Sequence, residues 1–87
     1  MKVRFQGEFY QLVVTDHAKE RMRSRNVDEE TLIDILQTGL VKTRDKPNQF
    51  WVYKSLRKRK DNSLCVSISI ETPFLIVITT LINWRPL

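Results

Sequence analysis

The stretch TDHAKERMRSRNVDEETLIDILQTG, Thr15 to Gly39, predicts two consecutive helices and thereby decides the fold. Thr15 or Asp16 is a good N-cap for the first helix, which should run to about Arg25. Asn26 fits the end of that helix, because asparagine tolerates the left-handed backbone conformation better than most residues do. The first helix is mostly polar, so it can only cover a core contributed by other elements.

The second helix is predicted to begin after Asp28, a plausible N-cap, and to end at Gly39. Glu29 and Glu30 fall in its first turn, where the helix dipole favours negative charge. Its apolar residues are spaced i, i+3, i+4 and i+8, as expected for a stripe that faces the core. These residues are Leu32, Ile35, Leu36 and Leu40.

The sequence on both sides of the helices is typical of β-strands. The first 14 residues predict either a short hairpin or one strand with a bulge, with Gly7 as the flexible point. Gln49 to Leu56 and Leu64 to Glu71 predict two later strands, and the second of these alternates apolar and polar residues throughout. Phe74 to Ile82 is apolar on both faces, which predicts a central strand or one that is covered on both sides.

Short connections between the late strands imply an antiparallel meander. We therefore predict a single α+β domain over residues 1–87, with two N-terminal helices packed on an antiparallel β-sheet meander. The helices should cover one face of the sheet. The other face, which carries Cys65, Ser67 and Ser69, should be left at least partly open.

The chain is basic and has few of the residues that hold metals or form disulfides. Among 87 residues it has a formal net charge of +5, and this excess favours an anionic partner, with nucleic acid as the first candidate. An anionic membrane or an acidic protein would give the same bulk signal. One histidine and one cysteine argue against a conventional zinc site, so we expect no metal and no cofactor.

Several features favour a soluble cytoplasmic protein. Cys65 cannot form a disulfide within one chain, so a reducing compartment is expected, and we interpret it as a small strand residue rather than a nucleophile. The N-terminus lacks the apolar core of a signal peptide. The longest apolar run, Phe74 to Ile82, is too short to span a bilayer, so no membrane partner is expected.

The first helix places an imidazole and guanidinium groups close together. His17, Arg21 and Ser24 share one helix face, and Arg25 lies at its edge. Histidine exchanges protons near neutral pH, and arginine matches phosphate oxygens and stays charged. RNA supplies its own nucleophile, the 2′-hydroxyl, so these groups suit RNA cleavage without a metal.

A structural interpretation of the same residues stays open. A histidine at the start of a helix often bonds to backbone or to a carboxylate, here Glu20. Arg21 and Arg25 can equally be solvated or paired with Glu29 and Glu30.

A second basic cluster lies near a predicted hairpin tip. The four consecutive cations Arg57 to Lys60 repel each other unless an anionic partner is present. Trp51 and Tyr53 lie shortly before them on the same predicted strand. Aromatic side chains beside cations suit RNA, whose unstacked bases can lie on rings. With the C-terminal Arg85, the candidate nucleic-acid-binding residues are Tyr53, Lys54, Arg57, Lys58, Arg59, Lys60 and Arg85. The alternative is that the ring of Trp51 or Tyr53 faces the core and the tip is merely solvated.

The stretch HAKERMRSRNVDEETLIDIL, His17 to Leu36, resembles a widespread family of small uncharacterised prokaryotic domains with the signature HA-x-x-RM-x-x-R. Asn26 stands where the family usually has glycine. That family is similar to the RelE-like and BrnT-like toxins and to the bacterial ribonuclease fold. The resemblance implies two helices on an antiparallel sheet and metal-independent RNA cleavage by a toxin that an antitoxin protein restrains. The catalytic roles that the resemblance implies apply to His17, Arg21 and Arg25 only. The sequence has no second histidine, and no acid partner is assigned to His17.

We therefore expect an endoribonuclease that acts on RNA, with an antitoxin protein as a candidate partner and with His17, Arg21 and Arg25 as catalytic residues. A second hypothesis is a nucleic-acid-binding module without catalysis, which uses the same basic residues. A third is a protein-interaction domain that binds a partner at the sheet edge or at the face of Trp51 and Tyr53.

Overall fold

The computed structural model describes residues 1–55 and 63–82, which form two helices and one six-stranded sheet. The helices are α1 (Asp16–Ser24) and α2 (Glu29–Thr38). The strands are β1 (Lys2–Phe5), β2 (Glu8–Val14), β3 (Leu40–Thr43), β4 (Gln49–Ser55), β5 (Ser63–Glu71) and β6 (Phe74–Ile82). The predicted α+β fold with two helices is confirmed, although a hairpin precedes the helices.

The sheet is mixed, with the strand order β1-β2-β6-β5-β4-β3. The predicted antiparallel meander is present from β3 to β6, and β1 also pairs antiparallel with β2. β2 and β6 are parallel, so the prediction of an entirely antiparallel sheet is wrong at this pair. The reason is the crossover through both helices and the meander, which returns the chain beside β2 in the same direction.

The N-terminal segment is a hairpin, which decides between the two predicted alternatives. Gln6 and Gly7 connect β1 to β2, and their φ angles are 51° and 83°. Two successive positive φ angles are the signature of a type I′ turn, whose twist matches that of the flanking strands. Glycine adopts this conformation without a steric cost, which explains Gly7.

The predicted helix ends are confirmed. Thr15 caps α1, and Asn26 follows it in the left-handed conformation with φ 56°. The Asp28 carboxylate caps α2 by accepting a hydrogen bond from the Thr31 amide at 2.8 Å. Hydrogen bonds from the side chain and then from the amide of Thr31 lower the pKa of Asp28. Gly39 ends α2, where a Cβ would lie 2.5 Å from the Ile35 carbonyl oxygen, so only glycine fits.

Leu40 does not belong to the core stripe of α2, so that prediction is wrong. It is the first residue of β3, lies opposite Tyr53 of β4 and is 65% exposed. The helical spacing fails because the helix ends one residue earlier, at Gly39. The three other predicted stripe residues, Leu32, Ile35 and Leu36, are buried.

The sheet curls around the core. α1 packs on β6, and α2 packs on β1, β4 and β5. The rings of Phe5 on β1 and Phe50 on β4 lie 5.8 Å apart, although three strands separate β1 from β4 in the sheet order. In a flat sheet these strands would be about 19 Å apart, because neighbouring strands are spaced by about 4.7–4.9 Å. β6 is central, as predicted, and its Leu75 and Val77 are fully buried.

The face of the sheet opposite the helices is called the helix-free face here. It carries Cys65, Ser67 and Ser69, which were expected to lie on an open surface, but all three are buried. Large neighbours explain this burial, because Trp51 lies opposite Ser67 in register and the Arg44 guanidinium donates a hydrogen bond to the Ser67 hydroxyl. Neither helix of the described residues is long and apolar enough to cross a membrane.

Candidate active site on the first helix

The N-terminus of α1 is fastened to the central strand. The Thr15 hydroxyl accepts a hydrogen bond from the Ala18 amide at 3.1 Å, which caps the helix. The same hydroxyl lies 3.0 Å and 3.1 Å from the carbonyl oxygens of Val77 and Ile78, to which it donates. Thr15 therefore fixes where α1 starts relative to β6.

The packing of α1 leaves most of its surface in solvent. Ala18 and Met22 are the buried residues of this helix and belong to the core. His17, Glu20, Arg21 and Ser24 are exposed and line one surface depression with a volume of about 290 Å³. Their spacing of i, i+3, i+4 and i+7 places them on one side of the helix. The predicted common face of His17, Arg21 and Ser24 is confirmed.

The charged groups in this depression have no partner among the residues that the structure describes. Within residues 1–55 and 63–82, the side chains of His17, Glu20 and Arg21 make no hydrogen bond or ion pair. The Ser24 hydroxyl, in contrast, donates to the Arg21 carbonyl oxygen at 3.1 Å. An imidazole, a carboxylate and a guanidinium therefore face solvent in one depression.

Arg25 has a different environment from the other predicted catalytic residues. It is half-buried at the C-cap of α1, and its guanidinium donates a hydrogen bond to the Thr80 carbonyl oxygen of β6. It does not line the depression that holds His17 and Arg21. The contact with β6 fastens the C-terminus of α1, just as Thr15 fastens its N-terminus.

Two of the predicted nucleic-acid-binding residues, Tyr53 and Lys54, lie within the described part of the chain and do not share a face. Tyr53 and Lys54 are successive residues of β4, so their side chains point to opposite faces of the sheet. The Lys54 ammonium donates to the Asp34 carboxylate at 2.8 Å and to the Thr38 hydroxyl at 2.7 Å, both on α2. The bond from Lys54 lowers the pKa of Asp34.

The other predicted nucleic-acid contacts lie outside the described residues. They are Arg57, Lys58, Arg59, Lys60 and Arg85.

Cys65 is a buried strand residue, in agreement with its interpretation from the sequence. Burial raises the pKa of its thiol to about 12, although the positive charge of Arg44 acts in the opposite direction. A thiol that stays protonated is a poor nucleophile. Among the residues that the structure describes, no three His, Cys, Asp or Glu side chains cluster as a metal site would require.

A second depression is lined by residues of both helices and includes two cations of α1 that do not belong to the candidate site. It has a volume of about 330 Å³ and is lined largely by apolar side chains, including Met22, Val27 and Leu32. Lys19 and Arg23 line this depression and not the one that holds His17.

A domain-family comparison matches the chain over residues 14–82 to the domain of unknown function DUF4258. The chain belongs to the DUF4258 family. The DUF4258 match begins at Val14, directly before the cap of α1, so it includes the candidate site and excludes β1 and most of β2. Neither a comparison with curated proteins nor one with solved structures finds a match.

Glu20 is a member of the candidate site to which the sequence alone assigned no catalytic role. It was considered only as a structural partner of His17, with which it makes no hydrogen bond or ion pair. The signal was present in the sequence, because residues three apart on a helix share a side. A carboxylate three residues after the histidine and directly before Arg21 was therefore a candidate for the missing proton-transfer partner.

Proposed function

We propose that this DUF4258 chain is a metal-independent endoribonuclease whose active site is the depression on α1, and that it is the toxin of a toxin–antitoxin pair. One observation carries the proposal: His17, Glu20 and Arg21 line a single depression. An acid, a base and a fixed positive charge are the groups that RNA transesterification requires.

The proposed reaction uses the 2′-hydroxyl of the substrate as the nucleophile. The Glu20 carboxylate takes the proton from this hydroxyl while O2′ forms a bond to phosphorus. The protonated imidazole of His17 gives its proton to the leaving O5′ as the P–O5′ bond breaks. The products are a 2′,3′-cyclic phosphate and a 5′-hydroxyl, and the Arg21 guanidinium stabilises the charge that develops on the phosphoryl oxygens.

Arg25 acts as a positioning residue in this proposal. Its guanidinium holds α1 against β6 through the Thr80 carbonyl oxygen. Replacement by lysine keeps the charge but loses the planar fork of donors, so Arg25→Lys should lower thermal stability as well as activity.

The test is incubation of purified protein with single-stranded RNA in EDTA, followed by gel electrophoresis. His17→Ala should lower the cleavage rate by about 10²–10⁴-fold, which is the usual contribution of a general acid or base. Glu20→Gln should have a loss of similar size, and Arg21→Ala a loss of about 10²–10³-fold. An RNA that carries a single 2′-hydroxyl in a deoxy background should be cut only at that position.

Arg23→Ala is the matched control, because it removes the same charge from the same helix outside the depression. It should retain most of the activity. Equal losses in Arg21→Ala and Arg23→Ala would indicate that cleavage depends on the net charge of α1 and not on the position of Arg21. An unchanged rate in His17→Ala would remove His17 from the mechanism.

The toxin assignment has its own test. Induced expression should arrest bacterial growth, and His17→Ala should relieve the arrest at equal protein level. Growth that is unaffected by the active enzyme would contradict the toxin role and leave the ribonuclease proposal standing.

The alternative of a binding module without catalysis is supported by the cationic residues alone. It predicts retention of RNA that weakens steeply with salt and no cleavage product. His17→Ala would then have little effect.

A further inference from the structure

Two exposed phenylalanines lie on neighbouring strands of the helix-free face. Phe9 of β2 is 69% exposed and Phe74 of β6 is 42% exposed. β2 and β6 are parallel neighbours in which Gln11 lies opposite Phe74, so Phe9 is two residues from the register position of Phe74 on the same face. Val13, which is 38% exposed, extends this apolar surface along β2. A contiguous exposed apolar patch usually marks a binding surface.

Cationic side chains border these rings. Arg4 and Lys2 of β1 lie directly opposite Phe9 and Gln11 in the antiparallel register and are exposed. Since residues opposite each other share a face, Arg4 stands beside Phe9, and Lys2 lies on the same face beside Gln11, which is the neighbour of Phe74. The acidic residue in register with Phe74 is Glu71 of β5. We call Phe9, Phe74, Arg4 and Lys2 the aromatic platform.

The helix-free face also carries a cation that is stacked on an aromatic ring. The Arg44 guanidinium lies over the Trp51 ring, 4.3 Å from its centroid, and Lys42 is opposite Trp51 in register. The helix-free face therefore carries aromatic side chains and positive charge on both sides of β5.

We propose that the aromatic platform binds single-stranded nucleic acid, with bases stacked on Phe9 and Phe74 and with phosphates held by Arg4 and Lys2. Aromatic rings accept any unstacked base, and flanking cations follow the backbone. Exposed rings with Arg4 and Lys2 on one side match bases that are joined by phosphates. The choice of RNA as the natural ligand rests on the proposed function, whereas the platform itself does not depend on catalysis.

The platform is separate from the candidate active site. Phe9 and Thr15 are six residues apart on an extended segment, which corresponds to about 20 Å at 3.3 Å per residue. α1 also packs on the opposite face of the sheet. Changes in the platform should therefore weaken binding and leave the proton-transfer groups in place. Phe9 and both cations lie outside the residues that match the family, whereas Phe74 lies within them.

Binding is best measured by the fluorescence anisotropy of a labelled single-stranded DNA, which has no 2′-hydroxyl and cannot be cleaved by the proposed reaction. Phe9→Ala and Phe74→Ala should each weaken binding by about 5- to 100-fold, the cost of losing one stacked base. A probe with abasic sites should bind wild-type protein with a similar loss. The same sequence as a duplex should bind more weakly, because its bases are already stacked.

Leu40→Ala is the matched control, since Leu40 is 65% exposed on the same face at the far edge and is not aromatic. It should leave the affinity unchanged. Arg4→Ala should weaken all probes alike and reduce the slope of log affinity against log salt by about one. Circular dichroism checks that each variant is folded, and Phe9→Tyr, which keeps a ring, should restore binding.

Several results would overturn the proposal. The first is equal affinity for the single strand and the duplex, and the second is unchanged affinity in both phenylalanine variants. The third is failure to bind the probe together with self-association, or binding to anionic vesicles, that requires Phe9. Probe binding that requires Phe9 and Phe74 would support the platform even if no RNA is cleaved, and in that case the ribonuclease proposal alone would fail.

Discussion

The two helices have nearly equal lengths but opposite relations to the core. α2 has 10 residues and buries Leu32, Ile35 and Leu36 beneath the curled sheet. α1 has 9 residues, buries only Ala18 and Met22, and is fastened to β6 near its two ends. The comparison indicates that α2 stabilises the fold through its buried side chains. α1 is held in place at its two ends, and its exposed side is free to hold catalytic residues.

The largest expected effect is a cavity beneath α2. Leu32 is fully buried, so Leu32→Ala should lower the free energy of unfolding by about 2–5 kcal/mol. Met22→Ala is the matched change on α1, where the side chain is 9% exposed at the rim of the depression between the helices, and it should cost less. Urea unfolding followed by tryptophan fluorescence measures both. An equal or larger loss in Met22→Ala would contradict the assigned difference between the helices.

The end of α2 gives the next largest effect. A Cβ at Gly39 would lie 2.5 Å from the Ile35 carbonyl oxygen and 2.9 Å from that of Tyr53, and neither backbone atom moves easily. Gly39→Ala should therefore cost about 3 kcal/mol by overpacking. Gly7→Ala is the control: it meets open space but keeps a φ of 83°, so it should cost only about 1 kcal/mol of backbone strain. Thermal unfolding that ranks these two variants in reverse would contradict the close contact at Gly39.

A smaller effect is expected at the anchor of α1. Thr15→Ala removes the N-cap and the hydrogen bonds to β6, so it should lower the free energy of unfolding by about 1 kcal/mol. Thr15→Ser keeps the hydroxyl and should be close to wild type. Hydrogen exchange should show the loss mainly in the amides of α1, and a loss concentrated in α2 would contradict the separate anchoring of the two helices.

The ion pair on α2 predicts a modest pH dependence. The bond from Lys54 lowers the pKa of Asp34 below its ordinary 3.8, so the folded state favours the ionised carboxylate. This contribution to stability is complete above pH 3.8 and is lost as the pH falls through the lowered pKa. Both side chains are partly exposed, so the contribution should be below about 1 kcal/mol.

Asp34→Asn tests this contribution. It should reduce the loss of stability between neutral pH and pH 3, as measured by urea unfolding at each pH. Some acid sensitivity should remain, because the pKa of Asp28 is lowered as well. If the pH dependence of stability is unchanged in Asp34→Asn, the bond from Lys54 does not contribute to the acid sensitivity of the fold.

Local features of the fold could be predicted from the sequence, whereas long-range features could not. The caps at Thr15 and Asp28 and the left-handed Asn26 follow from the preferences of single residues, and the structure confirms them. β3 has only four residues, LVKT, too few for a periodic signal. The parallel pairing of β2 with β6 joins segments more than 60 residues apart, and no local pattern encodes it.

The candidate site shows the same division. The helical period correctly placed His17 and Arg21 on one side of α1. Tyr53 and Lys54 were grouped because they are adjacent in sequence, but the strand period sends them to opposite faces of the sheet. The contact of Arg25 with the Thr80 carbonyl depends on how α1 packs on β6, which the helix sequence alone does not contain.

The smallest expected change in stability lies on the outward side of α1. His17 and Arg21 are exposed, and their side chains make no hydrogen bond or ion pair within the described residues. His17→Ala and Arg21→Ala should therefore change the free energy of unfolding by less than about 0.5 kcal/mol, as is usual for surface substitutions. If the same variants lose RNA cleavage, the loss reports chemistry rather than folding. A loss of stability comparable to that of Thr15→Ala would instead make His17 part of the helix anchor, and the difference between the two helices would then be one of degree only.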